Sequence, residues 1–251
     1  MARRRGRGGG ALTVGLRSIA GRLLWRAGLQ RRRPPSGDAL YGRLCFSQEG
    51  EDMLLARMFE GQERGFYVDV GAHHPQRFSN TYYFYLRGWR GINIDAAPGS
   101  MAPFEALRPG DINLEVPISD SRQVLTYYSF NEPALNSFSR EVARERDGVG
   151  DFRIVSEQQL ETRTLAEVLG EHLAPGAVID FMSVDVEGLD YQVLKSNDWA
   201  RFRPRVVLVE DLNVSDLQRL DESPVVALLR GVGYRPACKT FYTFVFTRTD
   251  W

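Results

Sequence analysis

The chain has 251 residues, 43% hydrophobic and 25% charged, which suits a globular domain and excludes disorder throughout, collagen-like repeats and a many-span membrane protein. Its formal net charge is zero, but ten of the 32 basic residues are arginines within the first 33 positions, and no acidic residue precedes Asp38. The remainder carries 22 basic against 32 acidic groups, so a basic tail precedes an acidic domain. Two cysteines, Cys45 and Cys238, supply neither a disulfide framework nor C-x-x-C zinc spacing, and a reducing, cytoplasmic setting is the simpler expectation.

Residues 1–11 are Arg/Gly-rich and have almost nothing apolar to bury. Leu12, Leu16, Ile19, Leu23 and Ala27 then recur at helical spacing, with Arg17, Arg22 and Arg26 off that face and Gly15, Gly21 and Gly28 weakening the helix. No apolar run reaches the roughly 18 residues a membrane span needs, and arginines interrupt any secretory-signal core. Residues 1–37 are therefore expected to form a basic, largely disordered extension. Its amphipathic helix suits peripheral contact with an anionic membrane, on the inner face. A plain extension ahead of the true start, or nucleic-acid contact, are the other readings of the tail. No nucleic-acid partner is expected, because the body lacks a basic stripe with interleaved aromatics. Pro34-Pro35-Ser36-Gly37 marks the break, and the folded domain is expected over 38–251.

After the break, strand and helix patterns alternate. Ser47 is placed to cap a helix over Glu49–Phe59. Phe66–Val70, Gly91–Asp95, Ile112–Val116, Val178–Val184 and Arg205–Glu210 read as strands, and Val178–Val184 reads as central with both faces covered. Helical patterns lie between them at Thr81–Leu86, Met101–Leu107, Thr164–Leu173, Tyr191–Ser196 and Val225–Arg230. Tyr234–Ala237 and Phe241–Thr247 close the chain as an antiparallel pair. The alternation predicts an open α/β fold with a mostly parallel sheet, helices on both faces and a C-terminal antiparallel hairpin. Ligands of such sheets bind beyond the carboxyl ends of the strands. Those ends carry Asp69-Val70-Gly71-Ala72, Asp95, Ser119-Asp120, Asp185-Val186-Glu187-Gly188 and Glu210-Asp211. One such acid is usually a cap or turn former. Carboxylates at five strand ends along one edge point to a site.

Gly71 allows the backbone to approach a ligand, but neither G-x-G-x-x-G nor a Gly-Lys-Ser/Thr loop is present to cradle phosphates. Asp95 stands where a carboxylate accepts hydrogen bonds from ribose hydroxyls. A glycine turn and a ribose acid without a phosphate loop suit S-adenosylmethionine. Phe66–Ala72, Ser79-Asn80-Thr81, Gly88–Asp95, Ile118-Ser119-Asp120, Asp185–Gly188 and the upstream Phe46–Asp52 together resemble, in order, the FkbM-family methyltransferases. The resemblance spans roughly Phe46 to Asp211. It implies a class I, Rossmann-like methyltransferase fold with a seven-stranded sheet, S-adenosylmethionine as cofactor, and O-methylation of a sugar or polyketide hydroxyl. The chain departs from the pattern at His73, where many relatives have Asn, and at Asp95-Ala96, where many have Glu-Pro. On this resemblance Asp69, Gly71 and Ala72 contact the methionine part, Asp95 the ribose, and Ile118, Ser119 and Asp120 the adenine. Asn80 either touches the cofactor or caps the following helix.

Methyl transfer to an alcohol needs alignment and removal of a proton. His73 and His74 are the base candidates by type, the alternative being that they only tie the loop together. Asp185 and Glu187 are the other catalytic candidates. Asp185, Glu210 and Asp211 form an all-oxygen set suited to Mg²⁺ or Mn²⁺. Ser129–Phe138 reads as a long irregular cover in which Phe130 and Phe138 pack on a sugar face, or as a surface loop. The expected activity is an S-adenosylmethionine-dependent O-methyltransferase acting on a saccharide hydroxyl of a surface glycan or glycosylated natural product. A NAD(P)-dependent Rossmann oxidoreductase and a non-catalytic nucleoside-binding domain are the alternatives.

Overall fold

A computed structural model of the chain describes residues 42–211, 214 and 217–251. The expectations for the basic tail lie outside the described residues. A compact unit runs from Cys45 to Trp251. Its main sheet comprises β1 (Phe66–Val70), β2 (Arg90–Asp95), β3 (Ile112–Glu115), β6 (Phe181–Val184), β7 (Val206–Glu210), β8 (Tyr234–Lys239) and β9 (Thr243–Arg248). The order is β3-β2-β1-β6-β7-β9-β8. All neighbouring pairs are parallel except those made by β9, which runs antiparallel to both β7 and β8. This is the open, Rossmann-like arrangement that the resemblance implies, with a C-terminal antiparallel pair.

Strand alternation sorts the side chains into two faces. Ile92, Val68, Met182, Val207 and Phe246 stand in register across five strands, all fully buried. They pack against α5 (Leu165–His172), α6 (Asp190–Lys195) and α7 (Pro224–Gly231) through Leu165, Val168, Leu169, Val193, Leu194, Val226 and Leu229. On the opposite face Tyr67, Phe181, Val206 and Leu208 meet Leu55 of α1 (Glu51–Met58), Phe84 of α2 (Tyr82–Tyr85) and Trp89. The remaining helices are α3 (Met101–Leu107) and α4 (Arg140–Arg146).

Several predicted boundaries move. The first helix begins at Glu51 behind Gly50, whose φ of 91° only glycine adopts easily. Ser47 still serves it, accepting from the Gly50 and Asp52 N–H groups. Val178 is exposed, and the buried central strand is only Phe181–Val184. Ser129 and Phe130 belong to a strand, not to an irregular loop. β4 (Val124–Phe130) and β5 (Ile154–Glu161) form a separate antiparallel pair inserted between β3 and β6, and α4 lies in their connection. β5 reads Ile-Val-Ser-Glu-Gln-Gln-Leu-Glu and is mostly exposed, so it carries no clean apolar alternation.

The chain order reverses beside β1: one half of the sheet leads outward through β2 and β3, the other through β6 and β7. That crevice is where a parallel sheet binds its ligand.

Candidate active site

A cavity of about 750 Å³ lies at this crevice, lined by the ends of β1, β2 and β6 and covered by residues 129–138. The turn after β1 is made by two bonds: the Gly71 and Ala72 N–H groups donate to the Ile94 carbonyl at 2.9 and 3.0 Å. Gly71 has φ 84°, and a Cβ there would lie 1.7 Å from the Asp185 carbonyl oxygen. The glycine is thus demanded by the neighbouring β6 loop as well as by its own turn. Ala72 is buried beside Met101 and Phe104.

Asp95 closes β2 and lines the cavity. One carboxylate oxygen accepts from the His73 N–H and the other from the Ala97 N–H, each at 2.8 Å. Each carboxylate oxygen can accept a second hydrogen bond, and the Ser100 hydroxyl also acts on this group. Burial pushes this carboxyl above the usual range, while the two backbone donors oppose the shift.

The two histidines are used differently. His74 Nδ1 accepts from the Gln76 and Arg77 N–H groups at 3.1 and 3.0 Å, so this ring ties the loop. His73 lines the cavity with its Nε2 buried and without a partner. Burial lowers the pKa of both rings, so their neutral forms dominate near neutrality. His73 (φ 52°), Phe78 (57°) and Glu187 (54°) are the non-glycine residues with left-handed backbones among those described, and all three line this cavity. Strain of this kind concentrates at functional sites.

Acids gather at the ends of β6 and β7. Oxygens of Asp185, Glu187 and Glu210 lie within 4.8 Å of one another. Asp185 is exposed to the cavity, yet enclosure and the Glu210 and Glu187 carboxylates hold its pKa well above the usual range. Burial, then Glu187 and Asp190, push Glu210 up to about 8, and its Oε2 is buried without a hydrogen-bond partner. Burial also raises Glu187, against the attraction of Arg146 at 2.6 Å. Asp190 accepts from the Val186 and Gly188 N–H groups and so holds the 186–188 turn. The expected oxygen set changes by one member: the Asp211 carboxylate accepts from Ser223 Oγ at 2.6 Å, and Glu187 takes its place beside Asp185 and Glu210.

The cover is fastened on two sides. Arg77 donates twice to Glu132 at 2.9 and 3.1 Å, and Ser137 Oγ donates to the Glu187 carbonyl at 2.6 Å. Phe130 is buried with Tyr128 and Ala143, and Phe138 packs 4.8 Å from Tyr127, so both rings support the cover itself.

Ile118 lines the cavity, whereas Ser119 and Asp120 are not among its lining residues. Ser119 is buried, and Asp120 pairs with Lys195 at 3.2 Å. Asn80 does not cap α2, where Ser79 Oγ accepts from the Tyr82 N–H; Asn80 donates instead to Ser183 Oγ at 2.9 Å. The Asp69 side chain turns from the cavity, accepts from Thr81 Oγ1 at 2.8 Å, and is pushed up to about 6 by burial. Beside it Arg108, fully buried, donates to Asp111, Tyr67, Asn93 and Thr81. Arg77, Arg108 and Arg146 are absent from the site residues expected above. Their partners lie 55, 3 and 41 positions away in the chain, and only the pairing of Arg108 with Asp111 has a local spacing to signal it.

The Methyltransferase FkbM domain family matches residues 69–236. No curated protein matches the chain. Among solved structures, a TehB-like SAM-dependent methyltransferase from Corynebacterium glutamicum ATCC 13032 Kitasato is similar at 9% identity and a TM-score of 0.38, with 95% of this chain and 100% of that one covered. A precorrin-6y C5,15-methyltransferase from Geobacter metallireducens GS-15 is similar at 11% identity and a TM-score of 0.39, with 78% and 86% covered.

Proposed function

The chain belongs to the FkbM family of S-adenosylmethionine-dependent methyltransferases, and we propose from this that it methylates a hydroxyl of a saccharide. The observation that carries hydroxyl chemistry is His73: an imidazole nitrogen, buried and unpartnered, lining the cavity two residues beyond the Gly71 turn. In this reading Asp95 holds the ribose and the Gly71-Ala72 turn borders the methionine part. Ile94, Val116 and Ile118 offer an apolar wall to the adenine.

Bound S-adenosylmethionine would supply the methyl group, leaving as S-adenosylhomocysteine while the acceptor becomes a methyl ether, and His73 Nε2 would take up the proton that the acceptor hydroxyl gives up. A lowered pKa keeps His73 neutral and ready to accept, and the nearby Asp95 carboxylate favours the imidazolium once it forms. Transfer of a labelled methyl group to a panel of glycans, lipids and small alcohols tests the acceptor. Labelling confined to the lipids or small alcohols overturns the saccharide reading.

A divalent cation is a second reading, favoured by the lone Glu210 Oε2 and the three converging carboxylates. Asp185, Glu187 and Glu210 would hold it, and their hard oxygen donors fit Mg²⁺ or Mn²⁺. Such an ion would supply positive charge that acidifies an acceptor diol. It would compete with Arg146 for Glu187. Activity that falls with chelator and returns with Mg²⁺ or Mn²⁺ supports it; full activity in excess chelator discards it.

A further inference from the structure

We propose that Phe78 and Phe152 are specificity-determining residues, forming at the cavity mouth the surface on which the acceptor ring rests. The inference deepens the saccharide reading and rests on it. Of the phenylalanines lining the cavity, Phe130 and Phe138 are occupied within the cover, whereas Phe78 is 41% and Phe152 39% exposed.

Phe78 is the more informative. Its φ of 57° lies in the left-handed region that a bulky side chain rarely adopts. The ring joins neither of the two large core clusters, so folding gains little from a phenylalanine there. What surrounds it belongs to the site. The Arg77 guanidinium lies 4.4 Å over the ring, and the His73 ring lies nearly parallel at 6.4 Å. Arg77 is itself held by two hydrogen bonds to Glu132 of the cover. Phe78 is therefore fixed from the cover side and stands next to the unpartnered imidazole. A strained, exposed aromatic fixed beside a base is explained by a ligand that the ring touches.

The chemistry of the rim selects the ligand. Gln48, the Arg77-paired Glu132 and Asn136, whose Oδ1 accepts from the Phe130 N–H, line the same cavity, so its wall carries polar groups as well as ring surface. A pyranose has that dual character: C–H faces that pack on an aromatic ring and an edge of hydroxyls.

Saturation-transfer NMR with methyl glucopyranoside, mannopyranoside and rhamnopyranoside, in the presence of S-adenosylhomocysteine, tests this. The wild-type protein should saturate the ring C–H protons of at least one glycoside. Phe78→Gly and Phe152→Ala should each weaken that glycoside about three- to tenfold, the scale of one lost aromatic contact. Phe78→Tyr should stay near wild type. Calorimetric affinity for S-adenosylhomocysteine should not change. Glycine relieves the strain at position 78, so Phe78→Gly should melt no lower than wild type, which separates binding from folding. Unchanged glycoside affinity in both variants overturns the role of the two rings. Failure of every glycoside to bind a wild-type protein that does bind S-adenosylhomocysteine overturns the saccharide reading beneath it.

Discussion

Gly71 and Asp185 meet backbone to backbone: the first carbon of any side chain at 71 would lie 1.7 Å from the Asp185 carbonyl oxygen. The ends of β1 and β6 are thereby brought together at the floor of the cavity, a closeness the Asp185 N–H to Val70 carbonyl bond of 2.9 Å maintains.

Gly71→Ala should therefore damage the fold as well as the site. The clash is with backbone, which cannot swing aside, and the φ of 84° adds strain. A loss of about 3 kcal/mol or more is expected in urea unfolding, with loss of cofactor binding in calorimetry. A variant of wild-type stability would show that the two loops separate easily.

Asp95→Ala should weaken S-adenosylmethionine by about 1–3 kcal/mol if the carboxylate holds the ribose. The fold does not stay indifferent, because the His73 and Ala97 N–H groups lose their acceptor. Asp95→Asn keeps one oxygen and is the cleaner probe. It should retain most of the melting temperature while still losing cofactor affinity. Unchanged affinity in both variants removes Asp95 from the ribose role.

His73→Ala should lower kcat on the order of 10²–10⁴-fold with cofactor affinity little changed. His74→Ala should act on the loop instead, lowering the melting temperature, because its Nδ1 is the acceptor for two backbone N–H groups. Burial lowers the His73 pKa, so the acidic limb of the kcat profile should fall below the usual imidazole value of about 6.5. That limb should vanish in His73→Ala. Normal turnover from His73→Ala sends the proton to Asp185 or Glu187.

Asp69 sets a pH dependence of stability. Burial raises its folded pKa to about 6, above the unfolded value of about 3.9, so the folded state binds more protons between them. Its stabilising contribution is full below about pH 4 and is lost as pH rises through 6, on the order of 3 kcal/mol in all. Asp69→Asn should flatten that slope in urea unfolding at pH 4, 5, 6 and 7. An unchanged slope would assign the dependence to other acids.

Short-range physics was legible in the chain. Phe66–Val70 followed by Gly71, and Gly91–Ile94 followed by Asp95, announce buried parallel strands ending in a glycine turn and an acid, because apolar runs and glycine dihedrals are properties of neighbouring residues. With the other apolar runs they predict the open α/β sheet and its crevice, and they make Asp95 and His73 candidates at its edge. The pair β4–β5 was not legible, since an exposed polar strand such as Ile154–Glu161 has no apolar period to display.

Side-chain partners were decided only by tertiary structure. Glu210 and Asp211 are adjacent in the chain and chemically alike, yet one turns towards Asp185 and Glu187 and the other towards Ser223. His73 and His74 are identical neighbours, and one leaves a nitrogen free in the cavity while the other caps a turn. Successive side chains leave the backbone in different directions: Asp185 meets Glu210 from 25 residues away and Ser223 meets Asp211 from 12, while His74 turns to the N–H groups of Gln76 and Arg77 beside it. The sequence by itself determined which acids and imidazoles reach the carboxyl edge of the sheet. Packing of distant segments determined which of them face the cavity, because direction, burial and charge neighbours exist only once those segments have met.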